Sequence, residues 1–98
     1  MFDISYGENG VVVCKGRLDA AQADKAREFL DALEEGVTLD FGALEYISSA
    51  GLGVLLLSQK RLTKESTGIK IVNVNKHIYD VLRYAGFLNI FEIEPQST

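Results

Sequence analysis

Much that builds covalent or metal-centred sites is missing from this chain of 98 residues. Its one cysteine, Cys14, excludes an intramolecular disulfide. One cysteine and one histidine, His77, cannot make a structural zinc site, and neither metal nor cofactor is expected. No Lys/Arg block is present, and ten basic against fourteen acidic residues leave a net charge of −4. Nucleic-acid binding through phosphate neutralisation is therefore not expected, nor is a polybasic membrane patch. The longest apolar run is only a few residues, whereas a spanning helix needs about 20, so no membrane insertion is expected. Residues 1–5 lack both the basic and the hydrophobic region of a signal peptide. The expectation is a reduced, cytoplasmic domain. A single proline and a charged fraction of 24% argue against disorder.

What is there is a core-forming chain, 47% hydrophobic, of a length that suits one domain. We expect that domain over residues 1–94 and a loose tail over 95–98. Residues 2–6 and 11–15 read as strands joined by a hairpin at Asn9-Gly10. Asp19 followed by Gln22 opens a helix in the manner of a capping box. Ala23, Ala26, Phe29, Leu30 and Leu33 form its apolar face, and Gly36 closes it. Residues 37–40 read as a short strand and 41–47 as a loop. A second helix covers about 49–65, with Leu52, Leu55, Leu56, Gln59 and Leu62 in one stripe. Val54 and Leu57 extend its apolar surface, which suggests deep packing or an interface, including a weak dimer. Residues 69–74 form a strand. Asn75 caps a third helix with Ile78, Val81, Leu82 and Ala85 inward, Gly86 ends it, and residues 90–93 form a last strand. The order β-β-α-β-α-β-α-β predicts an α/β fold with a mixed, mostly parallel sheet packed by helices.

In such sheets functional loops gather at the strand C-terminal ends. Asp40 and Ser48-Ser49 both fall there on this reading. Two hydroxyls followed by Ala50-Gly51-Leu52-Gly53 mark a loop becoming a helix N-terminus, where unpaired N–H groups favour a phosphate. Ser49 is either a plain N-cap or a modification site. The hydrolase elbow needs a glycine two residues before the serine, and none precedes Ser48 or Ser49 so. A triad would have to recruit His77, which reads as exposed. Gly51 and Gly53 form neither a dinucleotide fingerprint nor a P-loop. They mark a close approach, of helix to sheet or of a partner to the helix start. Cys14 reads as a buried hydrophobe. Tyr79, Tyr84 and Phe87 read as core or half-buried residues. Asp19 reads as a cap, and Asp40 as a loop cap or as a hydrogen-bonding partner beside the serines. No catalytic residue is assigned, and an enzyme is not expected.

With these residues placed, the chain resembles the STAS domains, the bacterial anti-sigma factor antagonists. Gly16-Arg17-Leu18-Asp19 resembles the family's Gly-Glu-Leu-Asp. Leu39-Asp40-Phe41, then Leu44 through Leu56 with Ser48-Ser49-Ala50-Gly51-Leu52-Gly53, resembles its signature. Val72-Asn73-Val74-Asn75 and the stretch from Val81 to Phe87 resemble its later strand and helix. The resemblance implies partner switching. The dephosphorylated antagonist binds an anti-sigma factor that is also a serine kinase of the histidine-kinase-like ATPase type, which frees a sigma factor. The kinase phosphorylates a serine at this helix start, and a serine phosphatase reverses it. By register from Gly51 that serine is Ser49, with Ser48 as the alternative. The family's Asp before the phosphorylated serine is replaced here by Ser48. Asp19, Asp40, Ser49, Gly51, Leu52 and Gly53 are the expected partner-binding residues. From the apolar surface of the second helix, a monomer or weak dimer is expected. A non-switching STAS scaffold subunit of a signalling or lipid-transport complex is the other reading.

Overall fold

The computed structural model describes residues 1–65 and 67–96. Strands β1 (Phe2–Tyr6) and β2 (Val12–Leu18) pair antiparallel. Asn9 and Gly10 turn the chain between them at φ of 57° and 76°, the left-handed values these residues tolerate best. Strands β3 (Val37–Ile47), β4 (Ile69–Val74) and β5 (Glu92–Pro95) follow in parallel, and the sheet order is β1-β2-β3-β4-β5. Helices α1 (Ala23–Asp31), α2 (Ser49–Glu65) and α3 (Lys76–Tyr84) form the crossovers. Each crossover steps one strand in the same direction. Right-handed connections then put all three helices on one face of the sheet.

Side-chain burial follows that asymmetry. Val12, Leu39 and Ile71 lie in register across three strands and are fully covered. One residue on, Val13, Asp40 and Val72 are in register on the other face and only half-buried. Cys14 lies on the covered side at 2% exposure. Burial first, and the Asp40 and Asp3 charges second, push its thiol up to about 12. It is an inert core residue. His77 is exposed, as expected. Among the described residues no helix is long and apolar enough to cross a membrane.

Several boundaries differ from the expectation, each for a local reason. Residues 41–47 are strand, not loop. Val13 pairs with Asp40 and Lys15 with Ala43; Gly16 then pairs with Leu44 and Arg17 with Tyr46. β3 thus gains one residue on β2 twice. Each bulge breaks the two-residue alternation. The buried set Leu39, Phe41, Leu44, Ile47 therefore looks irregular in sequence. Asp19 caps a 3-10 turn, Ala20–Gln22, by accepting from the Gln22 amide at 3.1 Å, and α1 proper begins one residue later. Gly36 is not left-handed; it is needed because a Cβ would meet Thr67 and the Gly68 backbone. Ala85 lies just past α3 and is exposed, and Tyr84 is 79% exposed. The 3-10 turn Phe87–Asn89 buries Phe87 beside Phe91, with rings 5.2 Å apart, and delays β5 to residue 92. Pro95 pairs with Val74, and the Gln96 amide donates to the Val74 carbonyl at 2.8 Å. Pairing therefore enters the segment expected as a tail; Ser97 and Thr98 lie outside the described residues.

Two side chains of α2 fix its position. Gln59, buried, accepts from the Ile69 amide at 2.6 Å and donates to the Ile90 carbonyl at 2.8 Å. Arg61 donates to the carbonyls of Leu30 and Leu33 at 2.7 and 2.9 Å, and so ties α2 to the end of α1.

Candidate functional site

The start of α2 is built by the ends of two parallel strands. The Ser48 amide donates to the Leu18 carbonyl at 2.9 Å, which ties the helix entry to the end of β2. The Ser48 hydroxyl accepts from the Gly51 amide at 3.2 Å, and its carbonyl accepts from the Leu52 amide at 2.9 Å. Ser48 is therefore the N-cap, and the reading of Ser49 as the cap is corrected. The pairing of β3 runs to Ile47, so the turn falls at the next residue. Ser for Asp at this position keeps a side-chain acceptor for the helix N–H groups. Ser49 becomes the first helical residue. It is exposed, and its hydroxyl has no partner among the described residues. It sits at the positive end of the α2 dipole.

The two glycines here do different work. Gly51 is buried, and a Cβ on it would lie 2.8 Å from Leu18 Cγ and 3.0 Å from Ile47 Cγ1. Gly51 thus permits the approach of α2 to the sheet and presents nothing outward, which corrects its place among the surface residues. Gly53 is exposed, and a Cβ added to it would meet nothing within 4 Å. Leu52 between them is half-buried. Asp19, half-buried, follows Leu18 directly and so stands beside Ser48 at the same edge.

Asp40 does not join them. It lies in the first half of β3, eight residues before Ser48, and a strand rises about 3.3 Å per residue. Its Oδ1 accepts from the Gly42 amide at 2.8 Å and from the Asn73 side-chain amide at 3.3 Å. It thereby holds the first bulge of β3 against Asn73, whose φ of 61° is left-handed. The expectation of Asp40 beside the serines rested on a strand ending at residue 40, and the longer strand overturns it.

Sequence reasoning missed one pair at this edge. The Arg17 guanidinium lies 4.4 Å from the centre of the Tyr46 ring, on neighbouring residues of β2 and β3. No local pattern signals it, since the bulged register alone brings the two together. The edge as a whole offers an unengaged hydroxyl, a helix N-terminus and an open backbone at Gly53. Among the described residues no cluster of His, Cys, Asp or Glu could hold a metal ion.

Comparison with known proteins places this architecture. The STAS domain model matches residues 4–98. BtrV of Bordetella bronchiseptica, by its name a candidate anti-sigma factor antagonist, is 40% identical over 74 residues. That alignment covers 76% of this chain and 58% of BtrV, so the chain spans little more than half of that relative. An anti-sigma factor antagonist from Mycobacterium paratuberculosis superposes with a TM-score of 0.78 at 22% identity, over 98% of this chain and 86% of that one. The Bacillus cell fate determinant SpoIIAA in its phosphorylated form gives 0.67 at 17% identity, over 99% of this chain and 92% of that one. At such identities the structural likeness establishes the fold. The names are those of regulators rather than enzymes, in line with the absence of any assigned catalytic residue. The single mixed sheet with its helices and the match across nearly the whole sequence show that this chain belongs to the STAS domain family.

Proposed function

We propose that this chain is an anti-sigma factor antagonist whose binding is switched by phosphorylation of Ser49. The observation that carries the reading is the division of labour between the two serines. Ser48 is engaged as the cap, whereas Ser49 is exposed and its hydroxyl has no partner among the described residues. The names of the relatives support the antagonist role. In this reading the unmodified chain binds an anti-sigma factor at the edge formed by Asp19, Ser49, Leu52 and Gly53. That partner is a serine kinase of the histidine-kinase-like ATPase type. A serine phosphatase restores the binding form, and the exchange takes place in the cytoplasm.

The physics of the switch is local. A phosphate on Ser49 adds about −1.5 to −2 charges. The α2 N-terminus tolerates that charge, so the fold survives modification. A partner covering the edge must strip water from the same charge, which is costly without cations to receive it. Phosphorylation therefore weakens binding and leaves the domain intact.

Phosphate transfer from the kinase of the same organism tests the assignment. Incorporation is expected in the wild type and in Ser48→Ala, and none in Ser49→Ala. Labelling that persists in Ser49→Ala and vanishes in Ser48→Ala moves the site. In titration calorimetry Ser49→Asp should bind the anti-sigma factor more weakly than the wild type; equal affinities reject the charge mechanism.

A further inference from the structure

The outward face of α2 does not end at Gly53. With about 100° of rotation per residue, Ser49, Gly53, Leu57, Lys60 and Lys64 fall within an arc of roughly 80°. At about 1.5 Å per residue the stripe is roughly 22 Å long, with Ser49 at one end and the lysines at the other. Leu57 is 66% exposed. Lys60 and Lys64 are exposed, and neither is within ion-pair distance of a carboxylate among the described residues. Lys25, Arg27, Lys70, Lys76 and Arg83 all have acidic partners. Residues 49–64 contain no Asp or Glu, in a chain of net charge −4. An exposed leucine and two unneutralised lysines therefore continue the face that starts at Ser49.

We propose that this stripe is the second half of the partner contact, and that it receives an acidic segment of the anti-sigma factor with an apolar recess for Leu57. The inference rests on the antagonist reading above and adds the chemistry of the partner's surface. Charge selects the occupant. A second copy fits poorly in either direction. Two α2 helices side by side and parallel would set lysines against lysines. Antiparallel, they would set Lys64 against the positive end of the other helix. An acidic protein segment neutralises both lysines and takes Leu57 out of water.

The test is titration calorimetry of the wild type, Leu57→Ser and the double variant Lys60→Glu/Lys64→Glu against the purified anti-sigma factor of the same organism, at low and high salt. All three changes lie on solvent, so each variant should stay folded, the lysine variant melting slightly lower because its carboxylates stand toward the negative end of the α2 dipole. Each variant should bind about tenfold more weakly or worse, and added salt, which weakens wild-type binding, should not weaken that of the lysine variant. Lys15→Glu, away from α2 on β2, should bind as the wild type does. Wild-type binding with unchanged affinity in both α2 variants overturns this inference alone. No binding by the wild type rejects the antagonist reading and this inference with it. A wild-type dimer that Leu57→Ser dissociates, with unchanged affinity for the anti-sigma factor, assigns the stripe to a second copy and also overturns it.

Discussion

The inner and outer faces of α2 obey different rules over the same residues. Inside, Gly51, Leu55, Gln59 and Leu62 meet the sheet, and their sizes and hydrogen bonds are set by what they touch. Outside, Ser49, Gly53, Leu57, Lys60 and Lys64 touch little in the chain itself. Glycine occurs on both faces for opposite reasons. Gly51 is glycine because neighbours crowd it, whereas at Gly53 no described residue stands within 4 Å of an added Cβ. A glycine in a helix interior costs roughly 0.5–1 kcal/mol relative to Ala. On the proposed antagonist reading, Gly53 leaves room for the backbone of a partner to come close.

The sharpest way to break this contrast is to put the same side chain on both faces. Gly51→Leu drives a branched chain into Leu18 and Ile47 and should destabilise the domain by about 3 kcal/mol, the upper range for overpacking. Gly53→Leu meets open space and should be neutral or stabilising by up to about 1 kcal/mol. Urea unfolding measures both. Equal losses would mean that the outer face is held by packing too.

A smaller effect is expected about two turns further along. Gln59→Leu keeps the volume but removes both hydrogen bonds of the side chain. The buried Ile69 amide then has lost its acceptor, at a cost of about 2 kcal/mol. Lys60→Leu, on the outer face, should change stability by no more than about 0.5 kcal/mol. If the two denaturation midpoints moved together, Gln59 would be a filler rather than a clasp between α2, β4 and the segment before β5.

How far the sequence revealed this division depends on the range of the forces involved. The stripe of α2, the hairpin at Asn9-Gly10 and the Asn75 cap are set by residues within a turn or two, and these were legible. The Asn75 carboxamide oxygen does accept from the Ile78 amide, at 2.9 Å. The second half of β3 was not legible. Its two bulges exist only in pairing with β2, and they disguise Phe41 and Leu44 as loop residues. The misplacement of Asp40 followed directly. At the candidate site, the helix start at Ser49 was legible in Ser-Ser followed by small residues. Which serine caps was not, because that depends on how far β3 pairs before the chain turns. Arg17 and Tyr46 were invisible for the same reason.

The smallest predicted effect separates those two serines. Ser48→Ala removes the side-chain acceptor of the Gly51 amide and should cost about 1 kcal/mol. Ser49→Ala removes a hydroxyl with no partner among the described residues and should stay within about 0.5 kcal/mol of the wild type. Ser48→Asp restores the acceptor and adds a negative charge at the helix N-terminus, so its stability should match or exceed that of the wild type. The three variants together test the cap without any partner present. A Ser49→Ala loss as large as that of Ser48→Ala would show that both hydroxyls hold the helix start. Ser49 could then not be modified without disturbing α2, and binding would be lost through a frayed helix rather than through a charge on an intact surface. A Ser49→Ala chain that unfolds with the wild type instead leaves that hydroxyl without a folding role, which is the condition a reversible switch on this surface requires.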